Sequence, residues 1–182
     1  MVNLDKLKLT ILQQEILRVL FIESGHPLNQ RNIAKILNVS QPAVMKSLPG
    51  LEKMEFARIS KDKESKRWSI ELNRDNPRAM QLKRSDNLKQ VYESGLADFL
   101  ENEFAGGTVI LFGSYSMGED TINSDIDIAV IGRKEKEINI SEYEKSLGRK
   151  IFINFYSSLG GIHKDLRENI LNGIILSGSV EL

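Results

Sequence analysis

Apolar residues recur at helical spacing through the first fifty positions. Ile11, Ile16, Leu17, Val19 and Leu20 form a wide stripe, with Gln13, Gln14, Glu15 and Arg18 largely off it, which predicts a helix over 10–23. Ser24-Gly25-His26-Pro27 ends it, Gly25 being placed as a C-terminal cap. Asn29 can cap a second helix over 30–37, with Ile33, Ala34 and Leu37 inward. Asn38-Val39-Ser40 is a three-residue turn, and Ser40 caps a third helix whose Pro42 lies in the first turn, where a missing N–H costs nothing. Val44, Leu48 and Leu51 face inward at i, i+4 and i+7, and Pro49 is expected to kink or end this helix near Leu48.

The pattern then changes period. Residues 56–60 and 67–72 read as two strands around a charged turn at 61–66, with Trp68, Ile70 and Leu72 alternating onto one face. Asn76-Pro77 marks a boundary, beyond which 78–104 is helical in pattern, its apolar members including Met80, Leu82, Leu88, Val91, Leu96, Phe99 and Leu100; Gly95 is placed to divide it. Residues 108–112, 126–131 and 151–156 read as short buried strands, 140–147 and 163–172 as short helices, and 174–176 as a last strand. The expected organisation is α+β, with segments 1–75, 76–105 (a connecting helix) and 106–182.

Composition narrows the function classes. In 182 residues, 41% hydrophobic and 27% charged, there is apolar matter for real cores, which excludes a disordered chain. With no Cys, disulfide scaffolds, thiolate metal sites and Cys nucleophiles are excluded. The longest apolar runs, such as 19–22 and 128–131, fall far short of the roughly 18 residues of a membrane span. Asp5 and Lys8 stand where a signal peptide needs an apolar stretch, so the expectation is a cytoplasmic protein with no membrane partner. The zero net charge conceals a split: residues 1–75 hold 13 Lys and Arg against 9 Asp and Glu, and residues 76–182 hold 12 against 16. The basic front half suits nucleic acid.

Three helices with a tight turn between the second and third, followed by a basic hairpin, resemble the winged helix-turn-helix domain. The third helix offers Ser40, Gln41, Lys46 and Ser47, residue types that bond base edges and phosphates in a major groove. The hairpin offers Lys61, Lys63, Lys66 and Arg67 against Asp62 and Glu64, suited to an adjacent phosphate backbone. Duplex DNA is the expected partner.

In the back half, a buried strand delivers Gly113-Ser114 into a turn, where Gly lets backbone amides approach an anion and Ser adds a hydroxyl donor. A spacer leads to Ser124-Asp125-Ile126-Asp127-Ile128, a strand pattern that sets two acids on one face and two isoleucines on the other. Adjacent carboxylates repel each other unless a cation lies between them, and a hard divalent ion such as Mg²⁺ or Mn²⁺ also binds phosphate oxygens. Together these features suggest a nucleoside triphosphate held beside a metal.

The unit of strand, Gly113-Ser114, spacer and Asp125-x-Asp127 resembles the DNA polymerase beta nucleotidyltransferase superfamily, closely over 109–130 and more loosely to 178. With the winged helix and connecting helix it looks like a group of archaeal-type regulator-like proteins. The resemblance implies a small α/β domain with a mixed sheet, Gly113 and Ser114 holding the triphosphate, and Asp125 and Asp127 as catalytic metal ligands. The implied reaction is attack of an acceptor hydroxyl on the α-phosphate with release of pyrophosphate. Two departures stand out. Active members carry a third carboxylate on a later strand, whereas 150–156 here has no acid; Phe152 aligns at that place, with the neutral Asn154 on the same face. Met117 precedes Gly118 where the family often has a basic residue.

The alternatives are a transcription regulator whose back half senses nucleotide without turnover, and an antitoxin. Minimal nucleotidyltransferases of this kind often pair with a small helical RNase toxin, so a protein toxin is a candidate partner, as is a second copy in a homodimer. His26 and His163 lie far apart and read as surface or capping residues, and Glu119 and Asp120 as solvated loop residues. Tyr115 lies near enough to the phosphate turn to touch a nucleotide, and Arg149 and Lys150 are candidate phosphate contacts.

Overall fold

A computed structural model describes residues 9–61 and 67–180. It divides into two compact units, Met1–Met80 and Gln81–Leu182.

The first unit begins with helix α1 (Ile11–Ile22), opened by a capping box in which the Thr10 hydroxyl accepts from Gln13 N and the Gln13 side chain accepts from Thr10 N. Asn29 caps α2 (Gln30–Leu37), which ends on Asn38 in the left-handed region at φ 52°. Ser40 caps α3 (Gln41–Lys53). Strands β1 (Ala57–Lys61) and β2 (Trp68–Leu72) pair antiparallel from Ala57–Leu72 to Lys61–Trp68. Leu28, in the turn after α1, bridges Ile70 with backbone bonds of 2.9 and 2.7 Å, so the hairpin is tied to the helices. Ile16, Leu20, Ile33, Val44, Leu48, Leu51, Phe56 and Ile70 are all buried. Three helices and this hairpin make a winged helix-turn-helix fold.

Of the two expected effects of Pro49, an end to α3 near Leu48 is not found: the helix runs to Lys53 with Pro49 inside it. Leu48 and Leu51, on either side, are both buried. Burying each contributes roughly 1.5–3 kcal/mol, enough to offset the ~3 kcal/mol penalty of an interior proline. The Gln13 side-chain amide also donates to the Ser47 carbonyl at 3.1 Å, tying the same turn to α1.

Helix α4 (Pro77–Glu93) starts with Asn76 Oδ1 accepting from the backbone of Arg78 and Ala79, and Pro77 fills a first-turn position that needs no N–H. Gly95, at φ 78°, separates it from α5 (Leu96–Glu103). In the second unit β3 (Thr108–Phe112) runs into the short helix α6 (Gly113–Met117). After it come β4 (Ile126–Ile131), α7 (Ser141–Leu147), β5 (Ile151–Tyr156), a 3₁₀ turn (Leu159–Gly161), α8 (Lys164–Leu171) and β6 (Ile174–Ser177). The sheet order is β5-β4-β3-β6; β3 is antiparallel to β4 and β6, and β4 is parallel to β5. Both faces of the sheet are covered, which is why Val109, Ile110, Leu111 and Phe112 form an unbroken apolar run. Val109, Leu111, Ile126, Ile128 and Val130 pack with Val91, Leu96 and Leu100, and Ile110, Phe112 and Ala129 pack with Leu159, Ile162 and Ile170. The fold is α+β with a mixed sheet.

Candidate functional site

Strand β3 ends at Phe112, which lies opposite Asp127 in the antiparallel register. The next residue, Gly113, turns the chain out of the sheet at φ +72°, and a Cβ built there would stand 2.7 Å from Asp127 Oδ2. The positive φ favours glycine, and any side chain there would have to displace the Asp127 carboxylate. Gly113, Ser114 and Asp127 are therefore brought together, Ser114 half-buried and Asp127 half-buried beside it. Asp125 is exposed, one residue before β4, where Ile126 N donates to the Lys150 carbonyl at 2.8 Å.

Burial pushes the Asp127 carboxyl above its ordinary value, and the Asp125 charge pushes it further in the same direction. Burial likewise raises Tyr156, and the Asp127 charge adds to it. A cation beside the two carboxylates would offset the charge that raises Asp127. The donor set is oxygen only, the chemistry of a hard divalent ion. Among the described residues no group of three His, Cys, Asp or Glu side chains could hold a metal ion, so further ligands would be water or substrate oxygens. In the parallel register of β4 and β5, Phe152 is the direct partner of Asp127, and Asn154 the partner of Ala129. Phe152 is 53% exposed.

The spacer between Gly113-Ser114 and Asp125 departs from expectation at one residue. Asp120 is no solvated loop acid; it is 1% exposed and pairs with Lys83 of α4, itself 0% exposed. Asn87 Nδ2 donates to Asp120 Oδ1 at 2.7 Å and to the Tyr115 carbonyl at 2.9 Å. Arg149 is also buried, 4.0 Å from Asp120 Oδ2, so it is an interior cation and not an exposed phosphate contact. Lys150 remains exposed and donates to Glu144 at 3.1 Å. Tyr115 is buried in the core beneath the turn, which removes it from a nucleotide's reach. Lys83 and Asn87 are not evident as site residues in the sequence, although a signal existed. They fall at i+4 steps on the line Ala79, Lys83, Asn87, Val91, the buried stripe of α4, while Met80, Leu82 and Leu88 are only half-buried.

In the first unit Gln41 and Lys46 are exposed along α3. Ser40 is exposed too, with its hydroxyl engaged by Ala43 N at 3.3 Å, and the Ser47 hydroxyl donates back to the Ala43 carbonyl at 3.0 Å. Lys61 is exposed with its ammonium 5.4 Å from the Trp68 ring centroid, and Arg67 is exposed at the start of β2. Lys63 and Lys66, with Asp62 and Glu64, lie outside the described residues.

Residues 93–179 match the family model of a nucleotidyltransferase domain. Among curated protein sequences none matches the chain. Among solved structures, adhesin competence repressor AdcR from Streptococcus pyogenes is similar at 25% identity and a TM-score of 0.42, over 57% of this chain and 72% of that one. MepR, a transcription regulator of the Staphylococcus aureus multidrug efflux pump MepA, is similar at 28% identity and a TM-score of 0.39, over 53% and 71%. A variant of ZitR from Lactococcus lactis is similar at 22% identity and a TM-score of 0.41, over 56% and 66%.

Proposed function

We propose, from a chain that joins a winged-helix domain to a nucleotidyltransferase domain, that the second domain binds a nucleoside triphosphate together with Mg²⁺ or Mn²⁺. Gly113 and Ser114 hold the phosphates, and Asp125 and Asp127 hold the cation. The observation that supports this reading is the approach of Gly113 to the Asp127 carboxylate, beside which Asp125 lies two residues earlier in the chain. When bound, the cation neutralises charge on the phosphate oxygens. The chain's own contributions are the close-approach glycine, the Ser114 hydroxyl and the two carboxylates whose repulsion favours a cation.

Transfer of the nucleotidyl group to an acceptor hydroxyl is slow in this reading. The acceptor proton would have to leave without the carboxylate that Phe152 replaces, and such general-base help is typically worth about 10²–10⁴-fold. That substitution favours a second reading, a regulator that senses nucleotide without turning it over. In either case the first domain contacts duplex DNA through Gln41 and Lys46 of α3 and the basic hairpin, and the protein works in the cytoplasm. Among the described residues no helix is long and apolar enough to cross a membrane. A third reading, an antitoxin, takes a small helical RNase toxin as partner, and a homodimer is compatible with all three.

Incubation with α-labelled NTPs, Mg²⁺ and total cell protein and nucleic acid tests the transfer step. Trace transfer or none is expected from the wild type, and none from Asp125→Asn with Asp127→Asn. Phe152→Asp should raise transfer, with Asn154→Asp the control for a two-residue register error. Rapid wild-type transfer that Phe152→Asp leaves unchanged would contradict the assignment of the missing acid.

A further inference from the structure

We propose that the buried cluster of Lys83, Asn87 and Asp120, with Arg149, positions the phosphate-binding turn and so sets nucleotide affinity without touching the nucleotide. This rests on the reading of Gly113 and Ser114 given above.

A charged pair in a protein interior is a costly way to gain stability, because both ions lose their hydration and apolar residues of similar volume often serve as well. Lys83 and Asp120 are nonetheless fully buried, at 0% and 1% exposure. What distinguishes the cluster is where its bonds fall. Asn87 donates to the Tyr115 carbonyl at 2.9 Å, Arg84 Nε to the Ser116 carbonyl at 2.9 Å, and Lys83 and Asn87 both to the Asp120 carboxylate. Every one of these α4 side chains grips the segment from Tyr115 to Asp120, immediately after Gly113-Ser114. Inside the segment, the buried Ser116 hydroxyl donates to the Gly113 carbonyl at 2.8 Å, and Glu119 N donates to the Ser114 carbonyl at 2.9 Å. The two residues assigned to the phosphates thus have their carbonyls fixed by the segment that α4 fixes.

A five-residue helix such as α6 has little stability of its own, since nucleating a helix costs more than a single turn returns. Its late carbonyls need partners from elsewhere, and α4 supplies them. A turn already held in its binding shape has no ordering cost when the anion arrives. Lys83 and Asp120 are therefore positioning residues that lie behind the site.

The test uses the full chain carrying Lys83→Met with Asp120→Asn, a neutral pair of similar volume that still offers Asn87 an acceptor. Amide hydrogen exchange and calorimetric titration with ATP and Mg²⁺ are measured beside the thermal midpoint. The expectation is a lowered midpoint, since the buried Arg149 loses the carboxylate beside it, with faster exchange confined to residues 113–120 and affinity weakened about tenfold, the value of one good hydrogen bond. Lys136→Met, which breaks the surface pair with Glu103, should change neither readout. If the double variant does not fold, Asn87→Ala carries the same expectations with the ion pair left intact. Wild-type affinity with unchanged exchange at 113–120, or protection lost evenly over the whole sheet, would overturn the proposal. If the wild type itself binds no ATP, the nucleotide reading fails, and exchange at 113–120 still decides whether the cluster holds the turn.

Discussion

At Asp127 function and stability pull in opposite directions. Its carboxyl is raised by burial and by Asp125, so the folded chain holds that proton more tightly than the unfolded one. The associated stability is present below the ordinary carboxylate range and is lost as pH rises through the folded value. At neutral pH the ionised side chain is therefore a burden on the fold, one a bound cation removes. Asp127→Asn should keep or raise the thermal midpoint at pH 7, and the difference between the two proteins should shrink as pH falls through the raised value and below the ordinary carboxylate range. A midpoint that falls at pH 7 would show that the carboxylate is stabilising in the free protein. The nearness of Gly113 to Asp127 was legible because the turn and the strand lie within one short stretch of sequence. The Lys83–Asp120 pair was not, since its partners are 37 positions apart and Asp120 reads as an ordinary loop acid.

Among the elements, the central strands were legible to the residue. Strands β3, β4 and β5 occupy 108–112, 126–131 and 151–156 because each is a short, mostly apolar run closed by glycine, charge or serine. Their order and direction were not legible, because neither the parallel pairing of β4 with β5 nor the edge position of β6 leaves a local mark. The register of that parallel pair is what places Phe152 beside Asp127. Helix α3 failed the local rule for a tertiary reason: Leu48 and Leu51 hold both sides of Pro49 in the core. Pro49 itself is exposed and its missing N–H leaves a gap in the helical bonding. Pro49→Ala should therefore stabilise the first unit by about 1–3 kcal/mol in denaturant unfolding, without moving nucleotide affinity. A loss of stability would mean that the proline serves a backbone shape the helix requires.

For the whole molecule, the balance of charge hides a basic front and an acidic back, 13 Lys and Arg against 9 acids over residues 1–75 and 12 against 16 over the rest. Binding of duplex DNA should weaken steeply with salt, because neutralising its phosphates releases counterions. Replacing Lys61, Lys63, Lys66 and Arg67 together by Ala should flatten the slope of log K against log salt by up to about 3–4, near 0.9 for each phosphate that is no longer neutralised. An unchanged slope would remove the hairpin from the interface. The central claim concerns the other domain, and calorimetric titration of the full chain with each NTP, with Mg²⁺ and again with EDTA, tests it most directly. Heat of binding should appear with Mg²⁺, vanish with EDTA, and vanish in Asp125→Asn with Asp127→Asn while that variant stays folded. Equal NTP affinity in the folded double variant would contradict the account.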